Sequence, residues 1–189
     1  MVALTILEAA EVVFAERGLE ARLEDVAAHA GVAVGTLYNY FKDRQSLVEA
    51  LLDAHRSQLR ERLSDVVART EGRAFRERLE AVLAEIVTVS LPKQRLRLLL
   101  LQAAPHRFLR RSEARESLRI ILGPMFDQAR RNGQLAPDPD GLQLQLLLGL
   151  VHAALAAAQE SPPLLSVEAF PKVIAGAFLD GVGGRGNEP

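Results

Sequence analysis

Residues 31–47 read Gly31-Val32-Ala33-Val34-Gly35-Thr36-Leu37-Tyr38-Asn39-Tyr40-Phe41-Lys42-Asp43-Arg44-Gln45-Ser46-Leu47. Between Gly31 and Asp43 there is room for one short helix. At about 100° per residue, Phe41 and Val34 fall within about 60° of Leu37 and make an inward apolar face. Asn39, Gly35 and Thr36 then share the opposite face, with Tyr38 and Tyr40 on its two shoulders. Such a face suits a DNA major groove: glycine lets the backbone approach closely, asparagine can pair bidentately with adenine, and hydroxyl groups reach phosphates. Lys42 and Arg44 lie just beyond, where cations meet the DNA backbone.

Immediately upstream, Leu23, Val26, Ala27 and Ala30 space a second short helix that ends at Gly31. Two short helices joined by a glycine-containing turn are the signature of a helix-turn-helix. Further back, Ile6, Ala10, Val13 and Phe14 recur at i, i+4, i+7 and i+8, an amphipathic first helix that Gly18 stops. Downstream, Asp43 is placed to cap a longer helix bearing Leu47, Leu51, Leu52, Leu59 and Leu63 and ending near Gly72. Helices are then predicted over about 74–91, 94–104, 113–132, 139–160 and 166–181. Gly133 is expected to end the third of these, and Gly123-Pro124 to kink or break it. The expectation is an all-α chain of about nine helices. Residues 1–50 form a three-helix DNA-binding domain, a long helix leads into a helical ligand-binding and dimerisation domain over 51–182, and 183–189 are a disordered tail.

Composition removes much else. The 189 residues include no Cys, and the four His (29, 55, 106, 152) show no ligand spacing. No disulfide framework, thiolate metal site or CxxC redox centre is available, and no metal or cofactor is expected. No glycine-rich phosphate loop or Ser/His/Asp arrangement stands in a recognisable context, so the chain is not expected to be an enzyme. The amino terminus lacks a basic n-region, which argues against a signal peptide. The longest apolar run, 146–158, is interrupted by His152 and falls short of the roughly 20 residues a bilayer span needs. A cytoplasmic protein with no membrane partner is the expectation. Formal net charge is -1, so DNA binding has to rest on the local motif rather than on a global field.

The motif resembles the helix-turn-helix of the TetR family of transcriptional regulators. The likeness runs through 31–47 and sits behind the Ala-Ala-x-x-x-Phe-x-x-x-Gly pattern of Ala9 to Gly18. It implies a homodimeric repressor with a helical ligand-binding domain, acting on a near-palindromic double-stranded operator. It matches Gly35 and Thr36 to the start of the recognition helix, Tyr38 and Tyr40 to phosphate-contacting tyrosines, Asn39 to a variable base-reading position, and Arg44 to a position where a phosphate-binding Lys is usual. With Val34 at the leading end and Lys42 beyond the trailing end, these are the expected DNA-binding residues. The chain departs from the family pattern at Arg22 and Ala33, where Ser or Thr caps are usual, and it lacks a basic arm before the first helix. Residues 1–55 carry four basic side chains (Arg17, Arg22, Lys42, Arg44) against nine acidic ones. That acidity motivates the competing reading, a helical dimer that has lost operator binding and serves as a ligand-binding or protein-interaction module.

Two further sets follow from patterning. Leucines surround the helix over 139–160, and Gly149, Ala153, Ala156 and Ala157 add a small-residue face that another helix can approach closely. With Leu146 and Leu150, and with Ile174, Ala177 and Phe178 on the last helix, they are expected to form a two-fold four-helix interface. The breaks at Pro92, Pro105 and Gly123-Pro124 predict deformable walls for a mostly apolar small-molecule inducer near Leu98, Gln102, His106, Leu122, Phe126 and His152. The series Arg107, Arg111, Arg115, Arg119, interleaved with Glu113 and Glu116, reads as a solvated face. His29 and His55 read as surface positions.

Overall fold

The computed structural model describes residues 1–93, 96, 100, 110–138, 140–158 and 166–181, and for 110–115 the helical backbone alone. All regular structure among them is helical: α1 (Val2–Arg17), α2 (Leu23–His29), α3 (Val34–Tyr40), α4 (Arg44–Arg69), α5 (Phe75–Ser90), α6 (Arg110–Arg131), α7 (Leu142–Ala157) and α8 (Phe170–Asp180). The predicted helix over 94–104 falls mostly outside the described residues, as does the tail from 182. Leu96 and Leu100 are described, helical and buried.

The chain divides into two compact units. The first takes residues 1–58 and 92–113, so it gathers more than the amino-terminal helices. Its core is the apolar stripe of α1 (Ile6, Ala10, Val13, Phe14) closed by Val26, Leu37, Leu47 and Leu51, with Leu96 and Leu100 packed into the same cluster. α4 starts where the sequence placed it. The Ser46 N–H donates to Asp43 Oδ1 at 2.7 Å and the Asp43 N–H donates back to Ser46 Oγ at 3.2 Å, a reciprocal capping arrangement that satisfies two otherwise orphaned donors.

One polar cluster in this unit escaped the sequence reading. His55 is no surface residue: its side chain is only 11% exposed, and its Nε2 lies 3.0 Å from Glu11 Oε2. Lys93 Nζ adds an ion pair to Glu11 Oε1 at 2.9 Å. His55 Nδ1 is buried without a partner. Burial by itself pushes the Glu11 carboxyl up, but the hydrogen bonds and positive charge of His55 and Lys93 outweigh it and hold the group below its ordinary value of 4.5. A carboxyl depressed in the folded state stabilises the fold above its unfolded pKa, and that contribution is lost as pH falls through the folded pKa. Urea midpoints of wild type and Glu11→Gln should therefore be well separated at pH 7 and converge below about pH 4. A constant separation from pH 7 to pH 3 would remove Glu11 from the acid response.

The second unit takes residues 59–91 and 114–189. α5 presents Phe75, Leu79, Val82, Leu83, Ile86 and Val87 as one buried stripe, the spacing of a helix packed on one side. α8 packs mainly on α5, and Phe126 of α6 sits edge-on to both Phe75 (5.3 Å between ring centres) and Phe178 (6.0 Å). α6 runs unbroken through Gly123-Pro124. Pro124 forfeits one backbone hydrogen bond, but buried Met125 and Phe126 fix the turn that follows it. Gly133 ends α6 at φ 70°, with the Gln134 N–H donating to the Ala129 carbonyl at 2.8 Å. α7 starts later than predicted, because both Asp138 carboxylate oxygens accept from first-turn N–H groups, those of Leu142 (2.8 Å) and Gln143 (2.9 Å). α8 likewise starts at Phe170 rather than 166. Pro171, which has no N–H to give, is tolerated only in a first turn. No helix among the described residues is long and apolar enough to cross a membrane.

Candidate nucleic-acid interface

The turn between α2 and α3 is fixed by its glycine. Gly31 adopts φ 67°; the Val32 N–H donates to the Ala27 carbonyl at 3.0 Å and the Gly31 N–H to the Ala28 carbonyl at 3.2 Å. This pair of bonds terminates α2 and reverses the chain within four residues, and only glycine takes that conformation without strain. Val32, partly buried against the first unit's core, anchors the exit of the turn. α3 then leaves Leu37 as its only fully buried residue, and Phe41, 8% exposed, follows as a second anchor.

Everything else on α3 faces outward. Tyr38 (44%) and Tyr40 (52%) are exposed, as are Gly35 and Asn39, with Thr36 half-buried. A Cβ added at Gly35 would meet nothing within 4 Å. Among the described residues, no side chain of the protein hydrogen-bonds Thr36, Tyr38, Asn39 or Tyr40, and neither Lys42 nor Arg44 is held by a carboxylate. Donors, acceptors and cations on this surface are therefore free to meet an external partner. Val34 departs from the expected inward face: it is 37% exposed. It stands at the first helical position, where a side chain leans back over the preceding turn, so Leu37 and Phe41 do the anchoring without it.

The missing caps are confirmed at atomic level. Arg22 (φ -73°, ψ 145°) and Ala33 (φ -64°, ψ 145°) hold the extended geometry of N-cap residues, and neither gives a side-chain cap bond. A hydroxyl at either position could accept from the first turn without moving the backbone. Ala33→Ser should raise stability by about 1 kcal/mol, read as a higher urea midpoint at unchanged slope. An unchanged midpoint would mean that the first-turn N–H groups are already satisfied.

The other predicted residues are distributed as follows. Leu122 and Phe126 lie in the second unit's core, and His152 is exposed on α7 with its Nδ1 2.7 Å from the Leu148 carbonyl oxygen. Leu98, Gln102 and His106 lie outside the described residues. On α7, Leu146 (63%) is exposed together with Gly149, Ala153 and Ala156; Leu150 and Ala157 are half-buried. On α8, Ile174 is buried, and Ala177 and Phe178 are half-buried. In the described part of the Arg107–Arg119 series, Arg119 donates to both carboxylate oxygens of exposed Glu116 (2.8 and 2.6 Å), which holds that carboxyl below its usual range. Among the described residues, no group of His, Asp or Glu is placed to hold a metal ion.

A short helix presenting Gly, Thr, Asn and two Tyr to solvent, braced by a second helix through a glycine turn, defines a helix-turn-helix DNA-binding protein. Residues 6–51 match the model of the bacterial regulatory proteins of the tetR family. The HTH-type transcriptional repressor KstR2 of Mycobacterium tuberculosis is 30% identical over 145 residues, 71% of this chain and 70% of that protein. Two solved structures share the fold. The fatty acid degradation regulator FadR of Bacillus halodurans superposes with a TM-score of 0.80 at 19% identity, covering 97% of each chain. FadR of Bacillus subtilis, crystallised with stearoyl-CoA, superposes with a TM-score of 0.75 at 21% identity, covering 95% of this chain and 98% of that one. The chain belongs to the TetR family and is a DNA-binding transcriptional regulator.

Proposed function

We propose that the protein is a homodimeric repressor that binds a near-palindromic operator through α3 and leaves it when a mostly apolar small molecule binds within the helices of residues 51–182. The observation that carries the reading is the outward face of α3, whose polar groups are spare while Leu37 and Phe41 hold the helix to the core. In a two-fold dimer the two copies of α3 enter successive major grooves about 34 Å apart. Gly35 permits close approach, Asn39 reads a base edge, and Thr36, Tyr38, Tyr40, Lys42 and Arg44 hold phosphates.

Repression is favoured by the KstR2 relatives, which are named as repressors. An apolar ligand is favoured by the stearoyl-CoA bound to the B. subtilis FadR neighbour and by the aromatic core around Phe126. A ligand releases DNA only by binding the DNA-incompetent state more tightly, by about 5.5 kcal/mol for a complete switch. The competing module without operator binding keeps one support, the acidity of residues 1–55. Selection of binding sites from random DNA by the full-length protein decides between them, followed by challenge of the complex with stearoyl-CoA. A near-palindromic consensus released by the acyl-CoA is expected. Retention of DNA with no sequence preference would leave the competing reading in place.

A further inference from the structure

The second unit contains a cavity of about 220 Å³ whose polar lining is Arg73, Arg78, Gln128, Asn132 and Gln134. Its walls are the loop before α5, the first turn of α5 and the last two turns of α6. No carboxylate lines it. Arg78 occupies a position on the apolar stripe of α5 and is only 6% exposed. Its Nη1 donates to Gln128 Oε1 at 2.8 Å and its Nη2 to the Val67 carbonyl at 3.5 Å, while its Nε is buried and has no partner. No carboxylate among the described residues pairs with this guanidinium. A buried cation without a counter-charge is costly, and the cost is relieved by an anion that also accepts its hydrogen bonds. The same cavity receives the start of α5, where Ala74 has no side chain with which to cap the first-turn N–H groups. Such groups attract an acceptor and, with the helix dipole, an anion.

We infer that this cavity is a binding site for a small oxyanion, a carboxylate or phosphate compound held by Arg78, Arg73 and the amino-terminal end of α5. The volume corresponds to about seven waters at about 30 Å³ each, enough for a small polar metabolite and too little for a long acyl chain. Leu122, Phe126 and His152, proposed for the apolar inducer, are not among the lining residues. The protein would thus take a second, hydrophilic signal at a separate place, where the anion ties the start of α5 to the end of α6.

The test titrates the full-length protein with sodium phosphate and, separately, with sodium succinate at ionic strength held constant by sodium chloride. Binding is followed by calorimetry and by the melting temperature. At least one of the two anions should bind saturably and raise Tm, and which one does so tells phosphate from carboxylate recognition. Kd should rise at least tenfold in Arg78→Gln and in Arg73→Glu. Arg73 is exposed and its side chain has no bonded partner among the described residues, so Arg73→Glu decides the matter even where Arg78→Gln does not fold. No saturable response to either anion, or wild-type affinity in Arg73→Glu, would overturn the assignment.

Discussion

Replacing Asn39 with alanine is expected to cost about 1–3 kcal/mol per contacted base and to relax preference at one position of each operator half-site. Asn39 is exposed, lies opposite Leu37 on α3, and has both amide groups free. The loss should be confined to specific binding, because an asparagine at a base edge contributes nothing to non-specific attraction. Arg44→Ala and Lys42→Ala should behave in the opposite way. Each would weaken binding to every sequence and reduce the salt slope by about one unit for each phosphate that the protein no longer neutralises. With residues 1–55 carrying more acidic than basic side chains, the wild-type slope itself should be shallow. Binding of the three variants to operator and scrambled DNA at several salt concentrations separates the roles. An Asn39→Ala protein that discriminates as well as wild type would exclude Asn39 as a base reader.

Leu146→Glu is expected to convert the proposed dimer into a monomer at micromolar concentration. α7 buries Leu147, Val151, Ala154 and Leu155 within its own subunit and leaves Leu142 (51%), Leu146 (63%), Gly149, Ala153 and Ala156 exposed. These five positions repeat at intervals of three and four, one continuous face of small and apolar side chains. On α8, Val173 is 49% exposed. Exposed apolar stripes of this kind mark interaction surfaces, and a two-fold axis would bring two introduced carboxylates into the same apolar contact. Separating the two heads also removes the gain from linking two half-sites, so operator affinity should fall by about 10²–10⁴-fold. Light scattering and operator titration measure the two effects, with circular dichroism to show that the helices persist. A Leu146→Glu protein that retains the dimer mass would exclude this face of α7 from the interface.

The residues that made the fold legible are those whose signals are local. Gly31 marks the α2–α3 turn because its backbone conformation is one that other residues avoid, and Asp43 marks the start of α4 because a cap acts on N–H groups three residues away. Gly133 ends α6 for the same kind of reason. What stayed hidden depends on partners distant in the chain. His55 gives no sign in its own neighbourhood that Glu11 and Lys93 enclose it. Arg78 did leave a trace: a charged residue inside the stripe Phe75-Leu79-Val82 breaks the pattern, and that break is the signal from which a buried cation could have been suspected. The delayed start of α7 was missed because Asp138 reaches forward to cap it from outside the apolar periodicity. In the interface, the outward placement of Asn39 followed from the position of Leu37 alone, whereas the exposure of Val34 depends on where the supporting helices end.

The way α3 is attached bears on how such a regulator diversifies. Of its seven residues only Leu37 is fully buried, Gly35 has open space where a side chain would begin, and the polar side chains between them contribute no bond to the rest of the protein. The recognition surface is therefore nearly uncoupled from folding. After gene duplication, mutations at Gly35, Thr36, Tyr38 and Asn39 can drift toward a new operator with little penalty in stability. A descendant can thus change the genes it controls while inheriting the effector response of its ancestor intact.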